Sequence, residues 1–462
     1  MRFLIIGLDS MPSDLLNDYY DLPNIKNMIE NGFSSILESC HPPITIPAWM
    51  VMMTSKNPGK LGIYGFRHRK RYSYKEGWIA TSNTVREKRL WDYLAEYGKR
   101  SCLIGVPPSY PPYRINGNLI SCFITPSINN EYTHPQSLKN EIEDIVGEYK
   151  FDVSFRIEDR DKVLNELYDM TEKRFKLIKH LLKKESWDLF MFVEIGVDRL
   201  HHAFWKFYAK DHPKYIPNNK YEHVVREYYK FVDEHIGELI DIVDDDTFIL
   251  TVSDHGTTSM KGCFCINEWL IKEGYLVLNS YPDKQTPIDK CDVDWSRTKA
   301  WGWGGYYARI FINVKDREKN GIIPKEEYET FREELRKKLL DIKGPNGEKF
   351  DNKVYTPEEL YGTAIGDKPD LMVYFDNLYW RSAGTLGHNR LYLDENDTGP
   401  DDSVHWYDGI FILYNKRIKR ARKIDRMSIY DVTPTLLNLM NLKVPDDMDG
   451  KIINEIKEWA NI

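Results

Sequence analysis

The sequence predicts an α/β fold: a mostly parallel central sheet flanked by helices, with an inserted cap region. Three observations carry that prediction. "RFLIIGLD", "WDLFMFVEIGVD" and "TFILTVSDH" are continuous apolar runs that each arrive at an acid, Asp9, Asp198 and Asp254. Such runs are what strands buried on both faces of a parallel sheet look like. "MTEKRFKLIKHLLKKES" and "YEHVVREYYKFVDEHIGELIDIV", ahead of the second and third runs, space their apolar residues as helices do. The alternation is βαβ, which a single sheet accommodates through right-handed crossovers.

Taken in order, the first strand ends at Asp9. "MRFLIIGLDSM" lacks the apolar length and the small-residue cleavage site of a signal peptide, so it reads as the opening strand of a cytoplasmic protein. "SCHPPITIPAWMVMMTSKNPGKLGIYGF" then leads from prolines into an apolar helix at Thr45. A threonine there serves as a helix cap. The same geometry faces its hydroxyl toward an anion at the helix N-terminus. Trp49, next along, reads as core, with stacking on a base as the functional alternative. "RHRKRYSYK" reads as a solvated surface hairpin; its alternative is a clamp for a polyanionic substrate through Arg67, Arg69 and Arg71.

The second strand runs into "VDRLHHAFW", where Asp198 and His202 are spaced to share one face of a helix, with His201 turned elsewhere. The third ends in Asp254 and His255. Residues 261–368 read as an insert that caps the site, including "AWGWGGYY" and a charged helix at "PKEEYETFREELRKKLLDI". "GWGGYY" is a substrate-facing loop or a tight turn. The chain is expected to rejoin the sheet at "PDLMVYFD", and "NKRIKRARKIDR" to be a solvated connection between strand and helix. The whole chain, 1–462, reads as one catalytic unit.

Composition narrows the function. With 462 residues, 42% hydrophobic and 13% aromatic, the chain can bury a large core. A net charge of −7 argues against binding duplex nucleic acid along its phosphates. No apolar run approaches the ~20 residues of a membrane span. The six cysteines, Cys40, Cys102, Cys122, Cys263, Cys265 and Cys291, suit neither a disulfide framework nor a zinc ribbon, and read as free thiols. In parallel sheets ligands bind beyond the carboxyl ends of the strands, so Asp9, Asp198 and Asp254 can converge at one edge. Three crowded carboxylates repel unless cations lie between them.

The motifs "GLDS", "TIPAW" followed by "TSKNPGKLGI", "VDRLHH", "SDHG" and "HWYDGIFILYN" resemble, in order and over nearly the whole chain, the alkaline phosphatase superfamily. The likeness is to its type I phosphodiesterase/nucleotide pyrophosphatase branch, and "IYDVTPTLLNLMNLKVPDDMDGKII" resembles that superfamily's ending. The resemblance implies one divalent ion on Asp9, Asp254 and His255, which also activates Thr45 as nucleophile. It implies a second ion on Asp198, His202 and His405, with His388 in "GTLGHNR" as the reserve ligand. Zn²⁺ suits this mixed His/Asp set, with Mn²⁺ or Fe²⁺ as alternatives.

The implied activity is hydrolysis of a small-molecule phosphoester, a phosphodiester or nucleotide-type pyrophosphate, through a phosphothreonine on Thr45. A bound ion shifts a hydroxyl's ionisation by roughly 11 kcal/mol, against ~2 kcal/mol from a helix N-terminus, so the ion decides nucleophilicity. The alternatives are a phosphomonoesterase, phosphonate hydrolase or phosphotransferase/mutase of the same fold, and a non-catalytic metal-binding scaffold. Ala48 stands where that branch usually has Asn, and Ser10 where glycine is usual, which leaves nucleotide specificity open.

Overall fold

The computed structural model describes residues 1–19 and 21–461. Its centre is a nine-stranded sheet. From one edge to the other its strands are Arg422–Ser428, Phe33–Glu38, Asp408–Asn415, Phe248–Val252, Phe3–Leu8, Leu189–Glu194, Ser101–Ile104, Gly117–Ile120 and Thr133–His134. All pair in parallel except Asp408–Asn415 and Thr133–His134, which run the other way.

The period-two geometry of a strand divides the first run between two cores. Leu4, Ile6 and Leu8 enter a cluster with the helices Pro23–Asn31, Arg160–Lys184, Gly196–Tyr208 and Val224–Ile242. Phe3 and Ile5 enter the opposite cluster, with Thr45–Thr54, Leu90–Glu96, Val432–Leu439 and Asn454–Ala460. Both faces are covered, which is why the three runs are apolar almost throughout, Glu194 and Thr251 apart.

Between the neighbouring strands Phe248–Val252 and Asp408–Asn415 the chain leaves the sheet and builds a smaller body with its own core. An antiparallel four-stranded sheet there orders Ala300–Trp303, Ala308–Ile312, Leu371–Tyr374 and Lys353–Tyr355. The charged helix Tyr328–Leu340 packs on it through Leu335 and Leu339. "PDLMVYFD" does not rejoin the central sheet: Leu371–Tyr374 pairs with Ala308–Ile312 and Lys353–Tyr355. An inner antiparallel strand covered on both faces has the same apolar run as a parallel one, so composition could not choose the sheet. The return comes at Asp408–Asn415. The basic run also departs from expectation, because Arg422–Ser428 forms the outer strand beside Phe33–Glu38.

Candidate metal centre

Each cluster residue reaches the same edge for a traceable reason. Asp9 follows the strand Phe3–Leu8, and Asp254 and His255 follow Phe248–Val252. Asp198 and His202 lie in the helix Gly196–Tyr208, one turn apart, just after Leu189–Glu194. His405 precedes Asp408–Asn415, and because that strand is antiparallel its start lies where its neighbours end. His405 is held there by Ser403–Trp406, which pairs with Gly256–Ser259 and sets His405 opposite Thr257.

Two groups result. Asp9, Asp254 and His255 bring ligand atoms within 4.8 Å of one another, as do Asp198, His202 and His405, and all six residues are buried. His255 Nε2 lies 3.3 Å from Asp254 Oδ2 and 3.6 Å from Asp9 Oδ1. Asp198 Oδ1 lies 3.3 Å from His202 Nε2 and 3.4 Å from His405 Nε2. The His255 and His405 rings stack at 3.8 Å, so the groups adjoin. Thr45 Oγ1 lies 3.5 Å from His255 Nε2. Thr45 is the first residue of its helix, and the extended residue before it, Ile44, takes the cap position that the sequence reading offered to Thr45.

The donor set passes a test for cations. Each carboxylate has one oxygen held by a protein donor: Asp9 Oδ2 by Trp49 Nε1 at 2.8 Å, Asp198 Oδ2 by Arg199 at 2.6 Å, and Asp254 Oδ1 by the Ser10 amide at 3.2 Å. The other oxygens, Asp9 Oδ1, Asp198 Oδ1 and Asp254 Oδ2, are buried without a hydrogen-bond partner among the described residues. Buried acceptors left bare are costly, and these three are the atoms that face the histidine Nε2 atoms. The imidazoles are tied from behind. His202 Nδ1 meets Asp401 at 2.6 Å, His405 Nδ1 the Pro43 carbonyl at 3.0 Å, and His255 Nδ1 the Gly256 carbonyl at 2.9 Å. Each leaves Nε2 inward, as outer partners of metal-binding histidines do.

The electrostatics are those of crowded acids. Burial, then the neighbouring Asp198, hold Asp9 well above the usual carboxylate range, and burial, then Asp9, do the same to Asp254. Burial also pushes Asp198 up, but His202, His405 and Arg199 outweigh it and hold it well below that range. His202 is lifted to about 10: burial opposes the proton, and Asp401, Tyr306 and Asp198 more than compensate. His405 is pushed down to about 4, chiefly by burial.

Other expected residues are placed differently. Trp49 is core, yet its indole orients Asp9, which it reaches across Gly7, where a Cβ would meet Trp49 Cη2 at 2.6 Å. Ser10 adopts φ +66°, a conformation that favours glycine. His201 bonds Tyr229 at 2.5 Å and Ser10 at 3.3 Å. His388 lies outside both groups, half-buried, with Thr385 Oγ1 at 2.8 Å. The clamp reading meets a correction at Arg69. It is 1% exposed, paired with Glu318 at 3.1 Å and laid over Phe311, so no substrate reaches it. Arg67 and Arg71 are exposed on the hairpin. Three residues of the site were not named from the sequence, although "VDRLHH" contains the first and "GWGGYY" the last: Arg199, Asp401 and Tyr306. Arg199 had a signal in its place beside Asp198, whereas Asp401 and Tyr306 come from distant loops.

A mostly parallel sheet with His/Asp clusters along one edge places the chain in the class of alkaline-phosphatase-like folds. Residues 3–401 match the type I phosphodiesterase / nucleotide pyrophosphatase family, and the chain belongs to that family. It is a phosphodiester hydrolase, of a kind that typically depends on divalent metal ions. The match stops short of His405, whose place in the site rests on the geometry above.

The chain is similar in structure to human ectonucleotide pyrophosphatase / phosphodiesterase 5, at a TM-score of 0.59 and 15% identity over 99% of both chains. The murine protein of the same name aligns at a TM-score of 0.57 and 15% identity over 97% of each chain. An inactive threonine-to-alanine variant of it in complex with AMP aligns at 0.56, with the same identity and coverage. Among curated proteins none matches. Among the described residues, no helix is long and apolar enough to cross a membrane.

Proposed function

We propose that the chain is a two-metal phosphodiesterase or nucleotide-type pyrophosphatase acting through a covalent phosphothreonine on Thr45. One observation carries the reading: three buried aspartates each present one bare oxygen to an inward Nε2, beside a buried threonine hydroxyl at a helix start. Asp9, Asp254 and His255 would hold one divalent ion and Asp198, His202 and His405 the other, Zn²⁺ first among candidates and Mn²⁺ or Fe²⁺ after it. Such ions, when bound, lower the pKa of a coordinated hydroxyl and stabilise developing negative charge on oxygen.

The chain's own residues do the rest. Thr45, its proton lost to solvent, attacks phosphorus in line as an alkoxide. Its Oγ–P bond forms as the bond to the leaving oxygen breaks, and that oxygen departs as an anion. Water later forms a new bond to phosphorus as the Oγ–P bond breaks, one of its protons returning to Thr45 Oγ. Trp49, Arg199 and the Ser10 amide fix the carboxylates, and Asp401 fixes His202. The helix Thr45–Thr54 orients its N-terminus toward the anion. Three carboxylates and a threonine alkoxide balance two divalent ions. We take the whole chain as one catalytic unit with residues 261–368 as its cap, to which the paired strand Leu371–Tyr374 also belongs. A cytoplasmic setting fits its six free thiols.

The test is turnover of bis-p-nitrophenyl phosphate against p-nitrophenyl phosphate, with Zn²⁺ or Mn²⁺ and then with chelator. Diester hydrolysis should require the ion, and Thr45→Ala should abolish it while still binding two ions per chain in a zinc titration. Full activity of Thr45→Ala would overturn the covalent mechanism; a protein that binds metal and turns over no ester would overturn the enzyme.

A further inference from the structure

"WGWGGYY" turns the chain from Ala300–Trp303 into Ala308–Ile312. Its paired glycines permit a close approach. A Cβ on Gly304 would lie 2.3 Å from the Gly384 nitrogen and the Ser382 carbonyl, and Gly305 has φ +141°. Gly305 and Ser382 therefore exchange backbone hydrogen bonds of 2.8 and 2.9 Å, pinning the turn to the strand Trp380–Ala383. The residue carried forward by this contact is Tyr306.

Tyr306 stands on the group Asp198, His202 and His405. Its ring stacks on His405 with centroids 3.7 Å apart at 28°, and the Arg381 guanidinium lies over the ring, 4.2 Å from its centroid. Its hydroxyl is 3.2 Å from His202 Nε2, its one hydrogen-bond partner among the described residues. Arg381 also binds Asp401 at 2.7 Å, and Asp401 holds His202 Nδ1, so one carboxylate and one guanidinium position both the ring and the imidazole. Metal–imidazole bonds run about 2.0–2.1 Å. The Tyr306 hydroxyl, 3.2 Å from that nitrogen, would therefore be within reach of a substrate oxygen held at the Asp198, His202 and His405 group.

We propose that Tyr306 is a catalytic residue supplied by the insert. Its phenolic O–H donates a hydrogen bond to the ester oxygen that departs at the Asp198, His202 and His405 group, and the proton stays on Tyr306. The inference rests on the phosphodiesterase reading above. Negative charge on the departing oxygen grows as its bond to phosphorus breaks, so the hydrogen bond is stronger in the transition state than in the bound substrate. The more basic the leaving group, the more the hydroxyl contributes.

Tyr306→Phe keeps the stack between Arg381 and His405 and deletes only the hydroxyl. Zinc-loaded wild type and variant are compared on aryl methyl phosphate diesters whose phenols range from p-nitrophenol to phenol, and both are titrated with zinc and with orthovanadate. The expected result is a loss in kcat/KM of about 10- to 100-fold with phenol as leaving group and a smaller loss with p-nitrophenol. Vanadate should bind the variant about tenfold more weakly, with zinc affinity and stoichiometry unchanged. A loss equal across leaving groups, no loss at all, or a fall in zinc affinity would overturn the assignment. Should the wild type hydrolyse no diester, the phosphodiesterase reading falls by itself. The vanadate titration then decides Tyr306 alone: weaker binding by the variant supports the contact, and equal binding, or none by the wild type, overturns it.

Discussion

Asp401 touches no expected ligand oxygen of the site, yet much of the site leans on it. It accepts from His202 Nδ1 at 2.6 Å, from Arg156 at 2.9 Å and from Arg381 at 2.7 Å. An amide there keeps the volume but loses the charge that holds the imidazole with Nε2 inward. Asp401→Asn is expected to weaken zinc binding about 10- to 100-fold, the usual cost of losing a ligand's outer partner. Isothermal titration measures it, and an unchanged affinity would show that His202 needs no carboxylate behind it. At this scale the six candidate ligands could be named from the sequence, because Asp9, Asp198 and Asp254 close apolar runs, His255 follows Asp254, His202 is one helical turn from Asp198, and "HWYDGIFILYN" resembles the family's motif at His405. Their supports could not. Trp49, Asp401 and Tyr306 meet their partners only through tertiary contact across 40, 199 and 104 residues of chain, and no spacing rule reaches that far.

At the scale of elements, the hairpin of Arg67–Arg69 and Gly77–Ile79 was legible as a hairpin, but the fate of its side chains was not. A run of basic residues reads as solvated until the neighbouring surface is known. Here Ala308–Ile312 and the loop after it present Phe311 and Glu318, which remove Arg69 from water and leave Arg67 and Arg71 in it. The pair fastens the hairpin to the inserted sheet. Truncating one partner of a buried ion pair leaves the other uncompensated and costs about 3–5 kcal/mol; Arg317, 3.0 Å from Glu318, puts the expected value at the lower end. Arg69→Ala should therefore lower the urea midpoint of unfolding with an unchanged KM for anionic diesters. A raised KM at unchanged stability would restore the clamp. The other misread elements share one cause. Leu371–Tyr374 and Arg422–Ser428 have patterns that suit several places, and only pairing partners settle which.

At the scale of the molecule, the six expected ligands are spread from Asp9 to His405, so an unfolded chain has no site to offer. The fold class was legible from three apolar runs and two helices. What turns that class into a site is the antiparallel strand Asp408–Asn415, which delivers His405 to the edge where Asp9 and Asp254 end. A cation that binds only the folded chain must stabilise it by mass action, about 2.7 kcal/mol at a hundred times its dissociation constant. Unfolding entropy scales with length, so for a chain of this size that free energy raises Tm by about 3 °C. Zinc is therefore expected to raise Tm with the logarithm of its concentration, and chelator to lower it. Asp254→Asn, which neutralises one of the bare oxygens, should blunt the response. Calorimetric scans across a zinc series would settle the point. A Tm indifferent to zinc and chelator would mean that the three bare carboxylates find their compensation elsewhere, and the two-ion reading would go with it.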